Sequence, residues 1–179
     1  MCVRGKVFAE WDYFDTWREM QKIPKSKVRN IGVSNFGTQH LKRLLADPSC
    51  KVVPAVNQIE LHPNNPSPKF VAYNTSKGIH STGYSCLGST DSPLYKDPTL
   101  LALAKEKGNS PQQCRLAWGI QKGWSVIPKP FNADRIQVNH QLNAWELTDE
   151  EMTKLNGMKD RFKVCDDAWI PITVFADDE

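Results

Sequence analysis

The chain has 179 residues, 40% hydrophobic and 24% charged, enough for one domain with a sizeable core. A net charge of +3 and a pI near 8.6, with no basic run, exclude the clustered Lys/Arg footprint of a nucleic-acid binder. No apolar run reaches the ~18 residues of a membrane helix, and Met1–Lys6 leads into no apolar core of a signal peptide, so the expectation is a soluble cytoplasmic protein.

The five cysteines, at 2, 50, 86, 114 and 165, are odd in number and irregular in spacing, with no C-x-x-C; they read as reduced thiols, not as a disulfide frame or a metal site. Residues 1–12 show no clear period. Phe14, Trp17 and Met20 have helical spacing from Tyr13 to Met20, and Pro24 ends that run. The basic Arg29 leads into a short apolar run closed by Ser34-Asn35 and the Phe36-Gly37 turn, and the stretch from Val28 to Val33 reads as a buried strand feeding a loop. Leu41, Leu44 and Leu45 then mark one face of a helix over 38–46.

A second strand is expected over Ala55–Ile59, running out through Glu60-Leu61-His62-Pro63 into the Asn/Pro-rich loop 64–68. A helix over 68–76 closes on Lys77-Gly78, and a third strand spans Ile79–Tyr84. The loop 85–97 carries Leu87-Gly88-Ser89. Helices follow over 97–107 and 110–122, the latter opened by Ser110-Pro111-Gln112-Gln113 as a capping box. A fourth strand is expected over Ser125–Pro128, a helix over 133–143, and a last helix over 148–155 opened by Thr148 and Glu151. The tail from Phe162 to Glu179 is irregular.

Strand and helix alternate four times. Strand ends are 23 residues apart from Asn35 to Gln58, 26 from Gln58 to Tyr84, and 45 from Tyr84 to Lys129 with an extra helix inside. One βα unit takes roughly 30 residues, so the pattern predicts an α/β fold with a parallel sheet, in one domain over 1–179. Four strand ends carry polar residues: Ser34-Asn35, Gln58, Tyr84-Ser85 and Lys129. In a parallel barrel such ends share one rim. Ser, Asn and Gln can pair with a carboxamide, an aromatic ring can stack on a flat heterocycle, and Lys129 with Arg135 suit a phosphate. Taken singly, each has a plainer reading: Ser34-Asn35 as a helix cap, Gln58 and Tyr84 as satisfied buried polar groups, Lys129 and Arg135 as a surface pair. His62 before Pro63 reads as a structural loop residue, and Trp118, Trp124 and Trp145 as packing.

Ile31-Gly32-Val33-Ser34-Asn35-Phe36 after a basic residue, Val56–Pro63, Tyr84–Ser89, and Ile127-Pro128-Lys129 with Arg135 and Asn139 together resemble the aldo-keto reductases, NADP-dependent (β/α)8-barrel enzymes. The fungal-type members are nearest in pattern. The resemblance implies the C-terminal half, about four βα units, of a TIM-like barrel. It implies that Ser34, Asn35 and Gln58 hold the nicotinamide carboxamide, that Tyr84 stacks on the ring, and that Ser85, Leu87 and Ser89 line the pyrophosphate. Lys129, Arg135 and Asn139 take the 2′-phosphate and adenine, and residues 162–179 form a substrate-shaping tail around Cys165–Trp169. Cys86 stands where Pro is usual, Pro130 where Ser or Thr is usual, and Val138 where an acidic residue is common. A lost neutral hydrogen bond at Pro130 costs on the order of 1 kcal/mol.

The family's catalytic Asp, Tyr, Lys and His lie on its first four strands; no Asp-x-x-x-x-Tyr unit and no His-Trp-Pro occur here. No catalytic residue and no metal ligand is assigned, and the chain is expected to be N-terminally truncated, by biology or by gene prediction. A full barrel takes ~250 residues, so open sheet edges and self-association are expected. The implied function is NADPH-dependent reduction of an aldehyde or ketone, or the reverse, acting on a small carbonyl or alcohol. The alternative is a non-catalytic NADP-binding or interaction protein of the same fold.

Overall fold

The computed structural model describes residues 11–88, 92–130, 132–142 and 145–165, and the backbone of 2–3 and 6–7. Six strands and seven helices are described, in the order β1 (Cys2–Val3), β2 (Lys6–Val7), α1 (Tyr13–Met20), β3 (Val33–Ser34), α2 (Thr38–Ala46), β4 (Val56–Glu60), α3 (Pro68–Ser76), β5 (His80–Tyr84), α4 (Pro98–Lys107), α5 (Pro111–Gln121), β6 (Ser125–Val126), α6 (Ala133–His140) and α7 (Asp149–Asn156). A 3-10 turn, Pro93–Lys96, precedes α4. β1 and β2 pair antiparallel, a hairpin the aperiodic N-terminal sequence does not announce. β3 to β6 form a four-stranded sheet in chain order, alternating with helices as a partial (β/α)8 barrel does.

The chain divides into two compact units. The first comprises Met1–Gln58, Pro68–Ser81 and Asp167–Glu179. Here α1 starts at Asp12, whose carboxylate accepts from the Tyr13 N–H while Asp15 accepts from the Asp12 N–H at 2.8 Å. Trp17 is buried from its inner face, its indole donating to the Val52 carbonyl at 3.1 Å. Leu41 and Leu44 on α2, Phe70 on α3 and Ile79 before β5 add to this core. β3 and β4 pair in parallel, Val33 opposite Asn57 and Ser34 opposite Gln58. Gly32 is required by that pairing: a Cβ there would lie 2.6 Å from the Val56 carbonyl oxygen.

The second unit comprises Ile59–Ser67 and Thr82–Asp166. β5 and β6 pair in parallel, Thr82 opposite Ser125 and Gly83 opposite Val126. Leu100 and Leu103 from α4, Leu116 and Trp118 from α5, and Leu155 from α7 make an apolar core. Trp118 meets Trp124 edge-on at 5.1 Å and donates to Asn156 at 3.0 Å, so both rings pack as expected. Ser110 and Thr148 cap their helices through boxes closed by Gln113 and Glu151.

Two strands are shorter than their apolar runs. β3 is Val33–Ser34, sharing only Val33 with the expected 28–33. Continued backward, its register sets Asn30 opposite Pro54, which has no N–H to donate. β6 ends at Val126, and the Ile127 N–H still reaches the Gly83 carbonyl at 3.1 Å, but Pro128 has nothing to give. α6 ends at His140, not 143, because Gln141 leaves the helical region at ψ 60°.

Candidate functional site

In the first unit, the end of β3 is tied to the end of β4. The Gln58 carbonyl accepts both the Asn35 N–H at 3.0 Å and the Ser34 hydroxyl at 2.9 Å. Asn57, fully buried, grips the next residue from both sides: its amide nitrogen donates to the Phe36 carbonyl at 2.8 Å and its oxygen accepts the Phe36 N–H at 3.4 Å. That clamp holds Asn35 in the left-handed region, φ 57°, a conformation Asn tolerates better than most residues. Asn35 Oδ1 is buried and has no partner among the described residues. Ser34 and Asn35 do not cap α2: the cap is Gly37, whose N–H donates to His40 Nδ1 at 3.3 Å. The helix-cap reading is therefore corrected. Asn57 is a positioning residue that the sequence reading passed over; its signal is a carboxamide inside an otherwise apolar strand.

In the second unit, Tyr84, Ser85, Leu87, Lys129, Arg135 and Asn139 line one cavity of about 990 Å³. These residues come from the end of β5, the turn after it, the end of β6 and helix α6. The turn is tight: Ser85 has φ 49°, Gly88 has φ 73°, and the Gly88 N–H closes on the Ser85 carbonyl at 2.8 Å. A Cβ at Gly88 would lie 2.6 Å from Ser92, so the space is shaped for glycine. Ser89 lies outside the described residues. Pro130 and Val138, the two departures from the expected adenosine-phosphate pattern, also stand in the cavity wall.

Asn132 opens α6, its side-chain oxygen accepting the Asp134 and Arg135 N–H groups at 2.8 and 3.3 Å. The helix therefore satisfies its own first donors, and positive charge at this end rests on the exposed side chains of Arg135 and Lys129.

Beside the cavity stand Arg115, which the sequence does not single out, and the Glu60–His62 pair, where the reading of His62 as a structural loop residue agrees with its burial. Arg115 of α5 is 1% exposed behind the loop, with its pKa drawn down by burial to about 10. Glu60 and His62, both without exposed side-chain surface, hold the segment 162–165, of which Val164 lines the cavity. Of the expected tail, residues 166–179, including Trp169, lie outside the described residues. The Cys86 thiol in the wall is pushed by burial up to about 11, so it is a neutral thiol at physiological pH. Cys50, Cys86, Cys114 and Cys165 are free. Among the described residues no group of three or more His, Cys, Asp or Glu could hold a metal. No described helix is long and apolar enough to cross a membrane.

Residues 6–160 match the model of the aldo/keto reductase family. The chain is similar to glycerol 2-dehydrogenase (NADP(+)) of Saccharomyces cerevisiae, 39% identical over 174 residues, 96% of this chain and 56% of the relative. It is also similar to the aldehyde reductase YPR1 of the same yeast, 37% identical over 93% of this chain and 54% of the relative. D-galacturonate reductase of Hypocrea jecorina is 40% identical over 85% of this chain and 49% of the relative. The chain spans about half the length of these curated relatives.

Proposed function

The chain belongs to the aldo/keto reductase family, and from that premise we propose that it holds NADP(H) for the reduction of a small aldehyde or ketone, or for the reverse oxidation. The single observation that carries the reading is the cavity in which Tyr84, Ser85 and Leu87 share a wall with Lys129, Arg135 and Asn139. Tyr84 would stack on a flat ring, the glycine-shaped turn would hold a diphosphate, and Lys129 and Arg135 would pair with the 2′-phosphate. Ser34, Asn35 and Gln58 are proposed for the nicotinamide carboxamide. The buried, unpartnered Asn35 Oδ1 supports this, because an amide N–H₂ would satisfy it.

The bound cofactor supplies hydride to a carbonyl carbon. The residues of this chain bind and orient it, and the segment around Val164 narrows the carbonyl's approach. No residue here is given the role of proton donor. One domain over 1–179, a cytoplasmic location and self-association through sheet edges belong to the same proposal. Analytical ultracentrifugation reads the last directly.

The test is a paired one. NADPH binding is followed by fluorescence, and turnover by loss of NADPH absorbance with glyceraldehyde, D-galacturonate or D-xylose as the carbonyl probe. Binding with turnover supports reductase activity. Binding without turnover on any probe supports the non-catalytic NADP-binding reading. No binding refutes both.

A further inference from the structure

Arg115 sits in the middle of α5 among Cys114, Leu116 and Trp118, all buried. It is 1% exposed, and its Nε, Nη1 and Nη2 are all buried without a hydrogen-bond partner among the described residues. A guanidinium carries five N–H donors, and leaving them unmet in the interior is costly. Its described compensation is a stacking contact, with Cζ 5.3 Å from the centroid of Tyr95, together with the charge of Asp97, which favours the charged guanidinium without a hydrogen bond to it. At about 10 its pKa still leaves it charged at neutral pH.

Its neighbours place that charge. A Cβ built on Gly88 would lie 3.3 Å from Nη2, and Tyr95 and Cys86 face the same guanidinium. Gly88, Tyr95 and Cys86 all line the cavity, on the side where the Ser85–Gly88 turn closes. Nη2 therefore stands behind the cavity wall at Gly88, with the Ser92 side chain beside it.

We propose that Arg115 is the cavity's buried counter-charge, and that it favours a diphosphate, or another anion of that charge, on the cavity face of the Ser85–Gly88 turn. The identity of the ligand rests on the dinucleotide reading above; the anion site does not. Field from a buried cation is less screened than that of the exposed Lys129 and Arg135, so its contribution persists at high salt.

The experiment compares the wild-type chain with Arg115→Met, which keeps the bulk, Arg115→Lys, which keeps the charge, and Arg115→Gln as a second neutral variant should the Met variant not fold. Inorganic pyrophosphate and adenosine 2′-phosphate are the probes, titrated by calorimetry at low and high salt. The expected result is about tenfold weaker pyrophosphate binding in the neutral variants, at both salt levels, with substantial recovery in Arg115→Lys and adenosine 2′-phosphate unchanged. The melting temperature of Arg115→Met is expected to rise, since a buried charge with no hydrogen-bond partner among the described residues has been removed. Pyrophosphate binding unchanged in the neutral variants, absent in the wild type, or a fall in melting temperature as the only effect, overturns the proposal. If adenosine 2′-phosphate fails to bind while pyrophosphate binding still depends on Arg115, the anion site stands and the NADP reading falls. If adenosine 2′-phosphate binds and pyrophosphate ignores Arg115, the reverse holds.

Discussion

Glu60 Oε1 and His62 Nε2 lie 2.9 Å apart with neither side chain exposed to solvent, and the Glu60 carboxylate also holds the chain's C-terminal segment. Its two oxygens accept the Val164 N–H at 2.5 Å and the Cys165 N–H at 2.8 Å. The neighbouring loop adds to the grip: Asn64 donates to the Asp160 carbonyl at 2.7 Å, and Arg161 donates to the Pro63 carbonyl at 2.8 Å. Phe162 packs on the His62 ring at 5.2 Å. One carboxylate thus fastens the segment that carries Val164 to the cavity wall.

Glu60→Gln replaces an acceptor on one side with an N–H₂ facing a backbone N–H. The expected cost is about 2–3 kcal/mol of stability, measured by urea unfolding. Trypsin cleavage of the native protein at Lys159, Arg161 or Lys163 is expected to accelerate. Unchanged stability and unchanged cleavage would show that the carboxylate is not the fastening.

His62 gives the same region a pH dependence. Burial holds its pKa below the ordinary 6.5, outweighing the upward pull of Glu60, while the charges of Arg115 and Arg161 push the same way as burial. Below 6.5 the unfolded chain takes up a proton that the folded chain refuses. Stability from this group is therefore complete above that pH and is lost as pH falls from there towards the depressed folded value. Melting temperatures from pH 7.5 to 5 should drop more steeply in the wild type than in His62→Asn; parallel curves would contradict the assignment.

Gly32→Ala tests why the anchor stretch reads Ile-Gly-Val. The added methyl meets backbone, the Val56 carbonyl oxygen at 2.6 Å, which cannot rotate away. The β3–β4 pairing must shift, at an expected cost of about 2–3 kcal/mol, read by thermal unfolding. A loss under about 0.5 kcal/mol, the scale of an ordinary surface change, would mean that the strands are not this close.

Lys129→Ala and Arg135→Ala each remove an exposed cation from the cavity wall. Each is expected to weaken NADPH about tenfold, the scale of one charge-assisted hydrogen bond, and to leave NADH little changed. Because both are exposed, the effect should shrink as salt rises. Equal losses for NADPH and NADH would move these residues away from the 2′-phosphate.

The elements were legible because their punctuation is local. Ser110-Pro111 with Gln113, Thr148 with Glu151, and the Gly108 stop after α4 each name a helix end in neighbouring residues, and the structure places caps at those positions. The cavity residues were legible for a similar reason, since Tyr84 ends β5, Ser85 follows it, and Lys129 stands three residues past β6. What escaped depends on contacts far apart in sequence. The pairing limit set by Pro54 on β3 is invisible in the run Val28–Val33. The bond from Glu60 to Cys165 spans 105 residues, and no local pattern marks it. Arg115 is not singled out by the sequence, because a single cation in an apolar helix carries no sign of which way it faces.

The most direct measurement is the dissociation constant of NADPH beside that of NADH, for the wild-type chain and for Lys129→Ala, by fluorescence titration. Saturable one-to-one binding is expected, with NADPH preferred about tenfold or more and the preference lost in the variant. Absence of binding, or equal affinity for the two dinucleotides in both proteins, would contradict it.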